Sequence, residues 1–285
     1  MDVKLRPGTP EDAGACGRIC FVDFAAIAAA HGFPCDFPSV EVTTALASRL
    51  LGHPGIFAVV ADADGRVVGS NFLDERSTIA GVGPITVDPA VQDAAVGRRL
   101  MVAVLDRAVE RGAAGVRLVQ AAYHTRSLSL YAKLGFQVRE PLACLQGPPI
   151  GVTIEGRAVR PATAADLDAC NRICRAVHGH DRAGQVSDAL TGGTALIVEH
   201  EGRVTGYSTG LSFFAHSVGR TVDDVQALIG AAPGFAGSGI LVPMRAGELF
   251  RWCLDHGLRV VQVMTLMTTG LYNEPAGAYL PSIMY

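Results

Sequence analysis

Hydrophobic and polar positions change their period along the chain, and each change marks an element. Val3–Arg6 alternates and then meets Pro7, the pattern of a short strand. Thr9 follows, with Asp12 three residues later. That is the spacing of a capping box, with Asp in place of Glu, and it predicts a helix. Two β-rich runs joined at Asp64-Gly65 predict a hairpin. Then come a strand ending Ile85-Thr-Val-Asp88, a loop, and a helix from about Ala95 to Arg111. Gly112 and Gly115 end that helix. A strand Val116–Ala121, a short helix and a strand Phe136–Arg139 complete an α/β order.

The pattern then repeats. Leu5–Cys20 and Val159–Cys174 share nine of sixteen residues at one offset. Gly65–Gly69 matches Gly202–Gly206, and Val116–Gln120 matches Leu258–Gln262 more weakly. Repeats of this length indicate two copies of one domain, because solenoid periods are about 20–50 residues. Thr163 and Asp166 repeat the capping box, and Glu201-Gly202 repeats the hairpin turn. The seam falls near Gln146–Gly156, where Gly147, Pro148, Pro149 and Gly151 punctuate the chain. The expected domains are 1–147 and 156–285.

Composition narrows the classes. Hydrophobic residues make up 49% of 285, and mean hydropathy is +0.30, so the chain can bury a core. Lys and Arg (24) nearly balance Asp and Glu (27), which argues against nucleic acid as a partner. Asp23 interrupts the most apolar stretch, Cys20–Ala30, so no membrane span is expected. The charged Met1–Arg6 is unlike a signal peptide, and a cytoplasmic protein is expected. Seven cysteines read as reduced thiols. Cys16/Cys20 and Cys170/Cys174, each four residues apart and beside Ile19 and Ile173, suggest a packing seam, and no metal is expected.

The chemistry concentrates in Ile85–Met101, where small residues fill the passage from strand to helix. Unpaired N–H groups at a helix N-terminus favour an anion, and Arg98 and Arg99 stand close by. An ordinary connection with a solvated Arg pair fits the same residues. Val87–Gly97, V-D-P-x-x-Q-x-x-A-x-G, together with Leu130-Tyr-Ala-Lys-Leu-Gly-Phe136, resembles the GNAT superfamily of N-acetyltransferases. Gln92 and Gly97 match its loop, while Ala95 replaces a Gly and is expected to take helical dihedrals without strain. The resemblance covers about the first 145 residues. It implies an α/β (α+β) fold of two tandem GNAT-like domains, each a mixed sheet flanked by helices.

The resemblance implies an acetyl-CoA-dependent N-acetyltransferase acting on a small-molecule amine by direct attack. Ile85, Thr86 and Val87 would bond the pantetheine arm through their backbone. Gln92, Asp93, Ala94, Ala95, Val96, Gly97, Arg98 and Arg99 would cradle the pyrophosphate. Tyr131 would protonate the leaving thiolate, and His124 stands where the family often has Asn. A helix aromatic packed on the sheet is the plain alternative for Tyr131. The base stays open among Asp74, Glu75, His31, Asp36 and His124, and Phe33 and Phe37 could line an acceptor pocket. A non-catalytic acyl-CoA-binding module and a scaffold are the alternative functions, and the chain could be a monomer or homodimer.

The second copy departs after Gly206. Leu241–Glu248 runs almost directly into a helix, Thr221–Ala231 reads as a capped insertion, and no L-Y-x-K-x-G-F follows. This half is expected to be a degenerate domain that braces the first or shapes the acceptor site. The tail Met267–Tyr285 reads as a binding wall or an edge strand, and a carboxylate at Tyr285 is a further candidate base.

Overall fold

The computed structural model describes residues 2–285, apart from the side chains of residues 92–94. Contacts divide the chain into two compact units. The first holds Met1–Leu118, Tyr123–Gln137 and Met284; the second holds Val119–Ala122, Val138–Ile283 and Tyr285.

The first unit runs β1 (Val3–Pro7), α1 (Ala13–His31), α2 (Val40–Leu51), β2 (Ile56–Ala63), β3 (Arg66–Asp74), β4 (Ile79–Val82), β5 (Thr86–Val87), α3 (Val96–Glu110), β6 (Gly115–Ala121, with residues 119–121 themselves in the second unit) and α4 (Thr125–Lys133). Its strands lie in the order β1-β2-β3-β4-β6, with β5 beside β3. Neighbours are antiparallel except β4 and β6, which run parallel. Asp64 (φ 54°) and Gly65 (φ 83°) turn the β2–β3 hairpin, as their sequence predicts. Gly69 lets β5 approach, because a Cβ there would meet the Thr86 carbonyl at 2.9 Å. On α3, Leu100, Met101 and Val104 are fully buried, each contributing roughly 1.5–3 kcal/mol.

Two expectations at the ends of α3 are corrected. Ala95 is left-handed (φ 57°, ψ 17°) and the helix starts at Val96. The strain-free helical Ala95 expected from sequence is therefore absent. Turning the chain from the preceding 3-10 turn, Pro89–Ala94, into α3 requires this positive φ. Gly115 opens β6 and does not end α3, a task left to Gly112 (φ 66°).

The second unit runs β7 (Gln137–Gln146, with Gln137 itself in the first unit), β8 (Ala158–Pro161), α5 (Leu167–His178), α6 (Ala183–Thr191), β9 (Leu196–His200), β10 (Arg203–Ser208), β11 (Ser217–Gly219), α7 (Val222–Gly230), β12 (Ile240–Pro243), α8 (Gly247–Asp255), β13 (Arg259–Gly270) and β14 (Ala278–Leu280). Five strands form the sheet β14-β11-β10-β9-β8, and a second run has the order β13-β7-β12. The strand predicted as Phe136–Arg139 thus extends to Gln146, with Leu145 opposite Ile240. Glu201 (φ 50°) and Gly202 (φ 71°) repeat the hairpin turn. The tail supplies an edge strand, β14, paired with β11.

Both capping boxes form, and the cysteine seams face inward. Cys16, Cys20, Cys170 and Cys174 are all buried. Burial pushes the Cys16 thiol up to about 11 and that of Cys170 up to about 12. Pro10–His31 is long and apolar enough to cross a membrane. One face of it is buried within the first unit, with Cys16, Ile19, Cys20, Asp23 and Ala28.

Candidate active site

The first unit opens its sheet where the motif residues meet. β4 and β6 pair in register from Ile79↔Gly115 to Gly81↔Arg117. Beyond Gly83 the chain stays with β3 alone, through Ser70↔Thr86 and Gly69↔Val87. The strand formed by residues 79–87 therefore splays from β6 at its C-terminal end. Asp88 N–H donates to the Val68 carbonyl (2.9 Å), so alternation along the strand aims the Val87 N–H at the open side.

The N-terminus of α3 faces the same opening. The bond from Arg99 N–H to the Ala95 carbonyl (3.2 Å) begins the helix. Val96, Gly97 and Arg98 are then the first-turn residues whose N–H groups the helix itself cannot satisfy. Gly97 sits beside β5 and α4: a Cβ there would meet Val87 Cγ2 at 3.7 Å and Leu130 Cδ2 at 4.0 Å. These are ordinary contacts, so the protein itself tolerates a side chain at this point, and the glycine leaves the donors uncovered. A pyrophosphate fits this donor set. Asp88 accepts from Ala90 N–H (3.0 Å) and pairs with Arg66 (3.0 Å), which fixes the start of the loop.

The two arginines divide. Arg98 is exposed, whereas Arg99 donates to the Val3 carbonyl (2.8 Å) and anchors α3 to β1. The side chains of Gln92, Asp93 and Ala94 lie outside the described residues. Ile85 is half-buried, and Thr86 is buried with its hydroxyl 3.3 Å from that of Ser70.

Tyr131 is buried on α4, its ring 6.2 Å from Phe136. Burial pushes its phenol up to about 12, with a smaller rise from the charge of Asp23 and an opposing hydrogen bond from Ser127. Ser127 Oγ lies 2.8 Å from His124 Nδ1. His124 precedes α4, so the three residues at spacings of three and four share one helix face. Burial, then His31 and Arg126, lower the His124 imidazole and keep it neutral. Ser127 thus links the two motif residues, and the three-and-four spacing was the signal in the sequence.

The candidate bases are sorted by their partners. Asp74 is held by Arg76 through bonds of 2.6 and 2.9 Å. Glu75 is held by Arg107 at 2.6 and 3.2 Å. Both are committed to ion pairs at that end of the sheet. His31 Nδ1 donates to the Ile27 carbonyl of its own helix (2.9 Å), with its ring 5.2 Å from Tyr123 and 6.3 Å from His124. Phe33 stacks on Tyr123 at 4.2 Å, whereas Phe37 is buried edge-on against Phe24. Asp36 and Cys35 both act on Tyr123, whose phenol burial raises to about 12. His31, Phe33, Asp36, Tyr123 and His124 thereby form one wall. Sequence reasoning missed Asp23, whose Oδ2 accepts from the Val87 N–H at 3.1 Å.

In the second unit residues 244–246 alone join β12 to α8, where 88–95 join β5 to α3 in the first. Arg245 fills this short connection, paired with buried Glu140 and with Glu274, both at 2.5 Å. The main-chain oxygen of Tyr285 accepts from Arg182, whose guanidinium lies over the Tyr285 ring at 4.6 Å. Tyr285 is thus bound within the second unit. Among the described residues no group of three or more His, Cys, Asp or Glu is placed to hold a metal ion.

Comparison with known proteins gives a consistent result. Residues 27–136 match the acetyltransferase (GNAT) family. A mycothiol acetyltransferase from Nocardia farcinica is 37% identical over 87 residues, which span 29% of this chain and 29% of that protein. A solved structure of an acetyltransferase from Pyrococcus horikoshii superposes with a TM-score of 0.75, covering 97% of this chain and 94% of the other at 17% identity. A GCN5-related N-acetyltransferase from Sphaerobacter thermophilus gives 0.60, covering 95% and 96% at 16% identity. At those identities the likeness is one of fold, and it extends along both copies.

Proposed function

From the GNAT acetyltransferase domain that the chain carries, we propose that its first copy transfers an acetyl group from acetyl-CoA to a primary amine on a small molecule. The observation that carries this reading is the convergence of three features at one opening. These are the splayed β5 edge, the uncovered first turn of α3, and Tyr131 on α4.

The N–H groups of Val96, Gly97 and Arg98 bind the pyrophosphate with the helix dipole behind them. The edge of β5 aligns the pantetheine arm. The amine attacks the thioester carbonyl carbon, an N–C bond forms and the C–S bond breaks. Tyr131 Oη gives its proton to the departing sulfur, and its raised pKa keeps it protonated at neutral pH. Ser127 and His124 lead from Tyr131 toward the surface and can return a proton. The stacked pair Phe33 and Tyr123 offers a flat apolar wall with Asp36 at its edge, which suits an ammonium group carried on an apolar body. The name of the Nocardia farcinica relative, a mycothiol acetyltransferase, also favours a small-molecule acceptor. The second copy, with its short connection closed by Arg245, serves as a partner domain without a CoA site of its own.

Calorimetry with acetyl-CoA and a thiol-release assay with phenethylamine test the reading. One saturable acetyl-CoA site and amine-dependent thiol release are expected. Absence of binding would return both copies to the role of a scaffold. Binding with no release across a broad amine panel would leave an acyl-CoA-binding module.

A further inference from the structure

Asp23 lies on the buried face of α1 and reaches the β5 edge through its 3.1 Å bond with the Val87 N–H. That N–H points to the open side of the strand, so the carboxylate stands at the free edge of β5. Its charge is felt by the Tyr131 phenol on α4 and by the Cys20 thiol one turn back on α1. Asp36 and Cys35 of the following loop act on the same Cys20. The aligned residue of the second copy is Val177, equally buried on α5. The helix therefore packs without a carboxylate at this place. The copy that has lost the phosphate loop and the tyrosine motif has an apolar residue there.

We propose that Asp23 is the base that takes the proton from the attacking amine. The inference rests on the acetyltransferase reading of the first unit. As the N–C bond forms and the C–S bond breaks, the ammonium proton moves to Asp23 Oδ and the Tyr131 proton moves to sulfur. For a free amine, one proton passed from the Asp23 carboxyl to the Tyr131 phenolate then restores both groups; an amine that arrives as an ammonium ion first gives its extra proton through Asp23 to water, so that cycle balances with one proton released to solvent.

Asp23→Asn keeps an oxygen for the Val87 N–H and removes the basicity. Two probes distinguish base from tether: phenethylamine, an ammonium ion at neutral pH, and aniline, a free amine there. Acetyl-CoA binding by calorimetry is expected to stay within about threefold of the parent chain. With phenethylamine kcat is expected to fall by roughly 10²–10³. The fall should shrink to less than about tenfold with aniline, or as pH rises toward the pKa of the alkylamine, and Asp23→Glu should recover part of the rate. Equal turnover of phenethylamine by Asp23→Asn and the parent, or an equal loss with both amines, overturns the assignment and leaves Asp23 as a tether. A parent chain that neither binds acetyl-CoA nor acetylates either probe overturns the acetyltransferase reading itself.

Discussion

The first helix of each copy begins with the same device. In the first, Arg6 makes two 2.8 Å bonds to Asp12, which accepts from the Thr9 N–H, and also reaches Asp62 on β2. In the second, Arg160 makes two 2.9 Å bonds to Asp166, which accepts from the Thr163 N–H, and also reaches Glu199 on β9. The copies then part company wherever a residue faces the opening in the sheet. Asp23 corresponds to Val177, the connection 88–95 corresponds to 244–246, and Tyr131 has no counterpart motif. Groups that hold the fold are present twice, and the groups we propose to handle acetyl-CoA and the amine are present once. On that reading the fold is kept where the site is not, because the two depend on different residues.

The sharpest way to break this comparison is Tyr131→Phe. It should lower kcat by roughly 10²–10⁴ with acetyl-CoA affinity unchanged, read by thiol release and calorimetry. An unaltered rate would make the first copy as inactive at this position as the second. Next is Asp224, fully buried in the first turn of α7 with Arg157 at 2.8 Å and Thr205 at 2.7 Å. Asp224→Ala removes the nearer of the two carboxylates that face Arg157, leaves Asp223 at 3.5 Å, and should cost about 2–4 kcal/mol in urea unfolding, while leaving acetyl-CoA affinity alone. A smaller and matched effect is expected from Asp12→Ala and Asp166→Ala, about 1–2 kcal/mol each. Unequal losses would show that the shared cap carries different loads.

The caps also predict a pH response. The arginine beside each carboxyl holds Asp12 and Asp166 below the usual carboxylate range. A depressed folded pKa contributes stability that is fully present above the unfolded value of about 4 and is lost as pH falls through the folded one. Acid unfolding of the parent, compared with Asp12→Asn and Asp166→Asn, should show that loss below about pH 4. The smallest expected effect is a gain. Ala95→Gly removes the left-handed strain and should stabilise the chain by about 1 kcal/mol, seen as a shift of the urea midpoint.

The shared elements were legible because their signals are local. Thr9 with Asp12, Thr163 with Asp166, Asp64-Gly65 and Glu201-Gly202 each specify a cap or turn within four residues. Ala95 misled because its neighbours do not encode the direction from which the chain arrives. Asp23 carries the instructive miss. In the apolar run Cys20–Ala30 it served only as a break in hydrophobicity, and the strand it meets lies 64 residues away. A carboxylate on the same helix face as Cys16 and Cys20 was the available signal. The length of β7 was also hidden, since its partner β12 belongs to the other copy of the repeat.

That last feature sets an order of events during synthesis. β7 leaves the ribosome with the first copy, yet it belongs to the second unit from Val138 onward, and its neighbours there are β12 and β13. Leu142–Leu145 must wait for Pro243–Ile240 to be made, about 100 residues later, which at roughly 5–20 residues per second is at least several seconds. Throughout that interval the nascent chain carries an apolar segment with both edges unpaired. The second copy is therefore the partner that ends the exposure of the first copy's last strand.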